Sequence, residues 1–398
     1  MKTNHFTILF CLFLTFSTAF SQITSLYPYS GTVGDINVIT TAVPFLTIIP
    51  DARAGGLGDA GVSSSSDANS QQYNPAKNVF NTSRNGISLS YSPWLRSLVD
   101  DINLGYLSGY HKFDSLRCIA ASFKYLSLGE VSYTGITGIT LGTYYPYEFS
   151  SDISYSRKLS DAFSIGTTFR YIFSDIRHGG FQTPHYKHGT SLACDISFFY
   201  SKKIRIIDND SRFNFGLNIS NIGTKISYND SIDHRDFIPT NLGLGPALTM
   251  PLSKSVSITF LAEIKKLLVP TPPVYQLGAD GLPLCDPAGD PVILAGKNPD
   301  VSVLSGMLQS FSDAPGGFKE EIREINYSFG TEISFREMYF GRSGFFWEDK
   351  TKGNRKFFTL GAGVKYKKYQ FDIAYIFAVE HHNPLNKTLR FSFLFYFE

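Results

Sequence analysis

Residues 44–77 read PFLTIIPDARAGGLGDAGVSSSSDANSQQYNPAK, a stretch too rich in small side chains to build a core of its own. Its glycines Gly55, Gly56, Gly58 and Gly61 permit tight, positive-φ backbone that folds back on itself or presses against a wall. Its Ser, Asp and Asn residues supply local turn hydrogen bonds. Such a stretch needs an enclosure, and residues 44–85 read as a plug. The competing reading of Gly56-x-Gly58-x-x-Gly61 as a dinucleotide fingerprint requires an amphipathic helix directly afterwards. Ser63 to Ser66 follow instead.

The composition of the 398 residues says what kind of enclosure to expect. Aromatic residues make up 15% of the chain, with 35 Phe and 23 Tyr against 2 Trp. Charged residues are only 18%, below the roughly 25% of an ordinary soluble protein. Mean hydropathy is nevertheless close to zero, which excludes a polytopic helical membrane protein and suits a barrel whose apolar exterior is offset by a polar interior. No run after the first twenty residues reaches the 18 or so uninterrupted apolar residues of a spanning helix. At the amino end, Lys2, the apolar run Phe6 to Phe20 and the small residues Ala19 and Ser21 read as a secretory signal over 1–21. Its removal takes one Lys and no acid, so the formal charge falls from +2 to +1, which gives no argument for a nucleic-acid partner.

The wall of the enclosure is written in period two. In 162–174, Phe163, Ile165, Phe169, Tyr171 and Phe173 oppose Ser164, Gly166, Thr168 and Arg170. In 213–220, Phe213, Phe215, Leu217 and Ile219 oppose Asn214, Gly216, Asn218 and Ser220. In 101–112 the apolar face is Ile102, Leu104, Tyr106 and Tyr110, set against Asn103, Gly105, Gly109 and His111. Large rings on one face and Gly, Ser, Thr or Asn on the other are the pattern of lipid outside and a wet or filled lumen inside. Strands are expected near 86–95, 101–113, 116–129, 147–158, 162–176, 188–204, 210–223, 239–251, 255–268, 324–335, 336–346, 355–368, 369–380 and 388–397. The fold class is therefore all-β: a transmembrane antiparallel barrel of about 14 strands over 86–398, with an N-terminal plug and an extended arm over 22–43. The last strand, LRFSFLFYF, alternates strictly and is the expected closing element.

Short turns alternate with long connections at 130–147, 176–188 and above all 269–323, which should be on the outer face. The 269–323 loop opens on Pro270-Thr271-Pro272-Pro273 and reads as unstructured, hence functional or disordered. Near its end, FSDAPGGFKEE at 311–321 sets two rings about a rigid turn, a hook suited to a protein partner. The segment 347–356 carries Lys350, Lys352, Arg355 and Lys356 and reads as a solvated hairpin tip, open to anionic lipopolysaccharide or an acidic partner.

Nothing in the chain marks an enzyme. Cys118, Cys194 and Cys285 are isolated and odd in number once Cys11 leaves with the signal, so no disulfide framework is implied. His381 and His382 are adjacent and point apart on a strand. Gly289 to Lys297 lacks the spacing and the Ser/Thr of a phosphate loop, and there is no G-x-S-x-G or HExxH. No cofactor or metal site is expected.

PDARAGGLGDAG followed by DANSQQYNPAK resembles the N-terminal signature of FadL-type outer-membrane barrels. AVPFL at 42–46, VPTPP at 269–273, SFSDAPGGFKEE at 310–321 and EDKTKGNRKFFTLGAG at 348–363, with LRFSFLF near the end, are together similar to the PorV family, the FadL-like component of the type IX secretion system. The resemblance implies an outer-membrane, non-enzymatic protein. Members bind the C-terminal signal domain of secreted cargo, receive it from the SprA/Sov-like translocon pore protein and deliver it to the PorU sortase complex. It places Phe311, Ser312, Asp313, Pro315, Gly316 and Phe318 in a partner-contacting loop. It places Asp51, Arg53, Asp59, Asp67, Asn69, Asn74 and Pro75 in the plug. The alternative implied by FadL itself is a channel for long-chain fatty acids or other hydrophobic ligands.

Overall fold

A computed structural model of the chain describes residues 36–398 apart from 136, 177–186, 207–208, 229–234, 279–281 and 381–382. The signal segment, most of the 22–43 arm and the His381–His382 pair lie outside the described residues. The first strands are β1 (Asn85–Pro93), β2 (Asn103–Lys112), β3 (Arg117–Ser127), the small hairpin β4 (Val131–Thr134) and β5 (Thr140–Tyr144), and β6 (Tyr147–Lys158). They are followed by β7 (Phe163–Asp175), β8 (Gly189–Ile206), β9 (Asn209–Gly223), β10 (Asn241–Pro251) and β11 (Val256–Leu267). After a second small hairpin, β12 (Val274–Tyr275) and β13 (Ile293–Ala295), come β14 (Asn326–Phe335), β15 (Tyr339–Trp347), β16 (Lys356–Tyr366), β17 (Tyr369–Ala378) and β18 (Leu389–Phe397).

Leaving out the two hairpins, fourteen antiparallel strands close into one barrel. The last strand closes on the first from Asn85 against Phe397 to Tyr91 against Phe391, so the ring has no free sheet edge. The expected strands match in number and in place. Turns of two to four residues fall at one end of the barrel, as between Lys112 and Arg117 or Tyr366 and Tyr369, and every long connection falls at the other.

The alternation behaves as expected in most of the wall. Ser164, Thr168 and Arg170 are buried inside while Phe169 and Tyr171 are exposed outside, and Asn214 and Asn218 face in while Phe215 faces out. On β2 the assignment is reversed. Leu104, Tyr106 and Tyr110 point inward and are buried, and Leu107 is exposed outside. The reason is the filling: Ile102 and Leu104 pack with Val43, Phe45 and Leu46, and Tyr110 packs with Ala68 and Val79, so the bore is apolar where its own chain lies against β2. Lipid and filling both accept an apolar face, and period two alone does not separate them.

Among its described residues the long 269–323 connection carries regular structure, where the sequence reads as unstructured. Besides β12 and β13 it forms two helices, α3 (Val303–Gln309) and α4 (Phe318–Arg323), which follow the one-turn helices α1 (Ala52–Gly55) and α2 (Ser70–Tyr73) of the N-terminal segment. Ser302 caps α3 through its hydroxyl. α4 starts from Gly317 at φ +65°, a backbone angle that favours glycine.

Candidate functional site: the filled bore and the hook on the outer wall

Residues 44–80 run through the bore and bond to strands round the ring. Glu263 on β11 accepts the amides of Gly61 and Val62 at 2.8 and 2.9 Å. Ser392 on β18 accepts from Ala52 at 2.9 Å, and Thr359 on β16 accepts from Gly58 at 3.0 Å. Asn74 donates to the carbonyl of Phe198 on β8 at 2.9 Å, and Lys124 on β3 donates to the carbonyl of Ile48 at 2.8 Å. These bonds satisfy a segment whose regular structure is limited to four short helical turns, so that many of its buried amides and carbonyls need partners from elsewhere.

The residues expected in the filling all lie there. Arg53 pairs with Asp67 at 2.8 Å and with Glu332 of β14 at 3.0 Å. Asp59 receives Arg390 of β18 at 2.5 Å. Asp51 caps a helical turn over Ala52–Gly55, accepting Ala54 N at 3.0 Å, and also takes the hydroxyl of Tyr73. Asp67 accepts from the amide of Asn69. Pro75 begins a 3-10 helix over Pro75–Phe80 whose cap is Asn74. Sequence reasoning missed the strand residues that hold the filling: Glu332 and Arg390, which meet Arg53 and Asp59, and Lys124 and Glu263, which meet its backbone. Each sits at an inward phase of its strand, which was the available signal.

The chain enters the bore from the long-connection end. The Asn37 amide donates to Thr351 O at 3.0 Å, its side chain donates to Pro272 O and Glu320 at 3.1 Å each, and the Ala42 amide donates to Phe237 O at 2.9 Å. Below this rim lies a cavity of about 430 Å³, bordered by Ile48, Trp94 and Leu385 and by Asp59, Lys265 and Arg355.

The hook does not fold over the mouth. Along β11, Glu263 and Lys265 face the bore, so Ile264 and Lys266 face outward, and the hook lies on that outward side. Lys266 Nζ sits between Glu321 at 3.0 Å and Glu324 at 2.6 Å. Lys352 Nζ sits between Glu320 at 2.5 Å and Glu324 at 3.0 Å. Glu321 also accepts the amides of Asp313 and Ala314, Glu320 that of Gly316, and Glu324 the hydroxyl of Thr271. The segment 347–356 is therefore not a free hairpin tip: Thr351 and Lys352 are buried, and the acidic partner of Lys352 is the chain's own loop.

Of the six hook residues, Asp313 is buried, accepting from the Thr271 amide at 3.2 Å. Burial, with Glu321 and Glu324 nearby, pushes its carboxyl up to about 6, against the lowering effect of the Thr271 hydrogen bond. Pro315 is half-buried, whereas Phe311, Ser312, Gly316 and Phe318 are exposed. The arm that carries the β12–β13 hairpin also exposes three leucines that sequence reasoning missed, Leu282, Leu284 and Leu294, obscured by the surrounding Pro and Gly. Among the described residues no three His, Cys, Asp or Glu side chains gather as metal ligands.

A family model described as type IX secretion system protein PorV matches residues 32–274. No curated protein matches the chain. Among solved structures, a deltaS2S3 mutant of TodX, a monoaromatic hydrocarbon channel, is 12% identical, with 87% of this chain and 99% of that one covered at a TM-score of 0.50. The toluene transporter TbuX of Ralstonia pickettii is 10% identical, covering 89% and 99% at 0.46. A FadL homologue of Pseudomonas aeruginosa is 11% identical, covering 91% and 100% at 0.42. At such identities the TodX likeness speaks for the barrel fold alone.

Proposed function

We propose that this chain, which belongs to the PorV family of type IX secretion system proteins, is a non-enzymatic cargo carrier of the outer membrane. It binds the C-terminal signal domain of secreted cargo at the long-connection end, takes it from the translocon pore protein and hands it to the surface sortase complex. Residues 44–85 act as the plug, and the long connections face the cell exterior.

The observation that carries this reading is the 269–323 connection, which among its described residues is anchored to the wall by buried ion pairs and presents exposed apolar side chains. A pore has no need of such a structure. The six hook residues divide within this proposal. Asp313 and Pro315 hold the turn, and Ser312 and Gly316, with Leu282, Leu284 and Leu294 of the arm, offer the cargo contact. Phe311 and Phe318 border a groove shared with Leu242 and Ile264 of the outer wall.

The second reading, a channel for long-chain fatty acids or other hydrophobic ligands, is favoured by the cavity beneath the rim. The test is the triple substitution Leu282→Ser, Leu284→Ser, Leu294→Ser in the full chain. A carrier loses co-purification of the cargo C-terminal domain while the barrel still assembles. Unchanged cargo capture and secretion, together with uptake of a hydrophobic ligand that is lost when the cavity is filled by Ser220→Trp, would leave the channel as the function.

A further inference from the structure

The hook sorts its charges. Its acids, Asp313, Glu320, Glu321 and Glu324, all turn inward and take hydrogen bonds. Its outward side carries the exposed Phe318 and Ile322 and, beside them, the exposed cations Lys319 and Arg323. α3 repeats the apolar theme: Leu304 and Leu308, one turn apart, are 67% and 77% exposed, and Phe311 follows at 51%. A short helix that shows water both leucines and buries Gly306 against Phe237 and Pro270 is turned the wrong way for a protein wholly in water.

Position explains the orientation. Val303 and Leu304 border a groove with Phe169, Leu192 and Cys194, which are outward residues of β7 and β8. Phe311, Phe318 and Ile322 border another with Leu242 and Ile264, outward residues of β10 and β11. The exposed apolar row of the hook is thus continuous with the apolar belt of the barrel wall, at its long-connection rim. Apolar side chains on one face of a short helix, flanked by Lys and Arg with the acids turned away, are the arrangement of a segment lying in the headgroup layer of a bilayer.

We infer that the outward face of α3 and α4 is a lipid-binding surface, seated in the outer leaflet, whose occupant is phosphate-bearing lipid. Leu304, Leu308, Phe311 and Phe318 enter the acyl-chain boundary, and Lys319 and Arg323 meet the anionic phosphates. The Lys266 and Lys352 clusters hold the face at that height. A side chain above the leaflet, such as Leu284 on the arm, stays in water. This rests on the barrel lying in a membrane and is independent of the cargo.

The test uses the full chain in nanodiscs of phosphatidylcholine, with or without phosphatidylglycerol, after Cys118→Ala, Cys194→Ala and Cys285→Ser. An environment-sensitive label is placed singly through Leu308→Cys, Phe318→Cys, Leu284→Cys or, on the wall, Phe329→Cys. Nitroxide-bearing lipid is expected to quench the labels at 308 and 318 at least roughly threefold more than the label at 284, with aqueous iodide showing the opposite order. Phosphatidylglycerol should strengthen lipid quenching at 318, and Lys319→Glu with Arg323→Glu should abolish that gain. Iodide quenching at 308 and 318 equal to that at 284, with the wall label at 329 lipid-quenched, overturns the inference. Shielding at 308 and 318 that develops only when a cargo C-terminal domain is added overturns it too, in favour of a protein surface. A wall label open to iodide removes the membrane premise itself, whatever the hook does.

Discussion

Arg53 and Glu332 meet in the bore in a two-point ion pair, Nε to Oε2 at 3.1 Å and Nη2 to Oε1 at 3.0 Å. Arg53 belongs to the filling and Glu332 to the wall, so this pair ties one to the other. Glu332 also receives Arg342 of β15 at 2.7 Å, and Arg342 passes on to Asp372 of β17 at 2.7 Å. The charges form a chain in which removal of the shared acid does most harm.

Glu332→Ala strips two buried arginines of a partner, while Arg53→Ala leaves Glu332 its second. Breaking a buried pair costs about 3–5 kcal/mol, and Glu332→Ala is expected at the upper end, Arg53→Ala below it. Heat-dependent mobility of the folded barrel on gels gives the order, and protease access to residues 50–70 reports release of the filling. Equal effects of the two substitutions would contradict the shared-acid arrangement.

Lys352→Met should loosen the hook without harming the barrel. Its ammonium is buried between Glu320 and Glu324, and a carboxylate left buried without its cation is strongly destabilising. Limited proteolysis should cut within 310–323 several-fold faster than in the parent, while the heat-dependent gel shift of the barrel stays put. A parallel fall in both would mean that hook and barrel unfold together.

Docking of the hook should weaken as pH rises. Asp313 is held up to about 6 by burial and by the nearby Glu321 and Glu324. A raised folded value means that the protonated form is favoured in the docked hook. The contribution is therefore full below the unfolded value of about 4 and is lost as pH rises through about 6. Glu320 is shifted the other way: its hydrogen bonds from Lys352, Gly316 and Asn37 outweigh burial and lower its value, so its contribution falls away only under more acid conditions. Between pH 4.5 and 7, hook proteolysis should accelerate with pH in the parent and stay flat in Asp313→Asn.

Gly58 is expected to be intolerant of alanine. It has φ +69°, and a Cβ there would stand 2.7 Å from the backbone N and O of Phe345 and 2.8 Å from Phe329 O. A strained backbone and a clash against two strands act together. Gly58→Ala should lower the heat resistance of the assembled barrel, whereas Gly105→Ala, with nothing within 4 Å, is the neutral comparison.

The barrel was legible because its signal is local. Alternation such as Phe213-Asn214-Phe215 is complete within one strand, and the strictly patterned Leu389–Phe397 could be named as the closing strand before any pairing was known. The filling was legible from the opposite property, a stretch such as Ala54-Gly55-Gly56-Leu57-Gly58 that has no period and no bulk. The hook resisted reading because Glu321 on α4 and Glu324 at its C-cap, three residues apart, look like ordinary solvent-facing acids. Lys352 likewise looks like one cation of a polar tip.

The sequence by itself determined that strands alternate, how many there are, and that residues 44–77 require a container, since side-chain period and residue size act over a few residues. Only the tertiary structure decided which face of β2 turns inward, which acids receive Lys266 and Lys352, and that the hook lies on the outer wall. Those choices depend on partners 28 to 58 residues away for the lysine clusters and 279 away for Arg53 and Glu332. Closing the ring brings such groups within reach of a hydrogen bond, and no local pattern encodes that proximity.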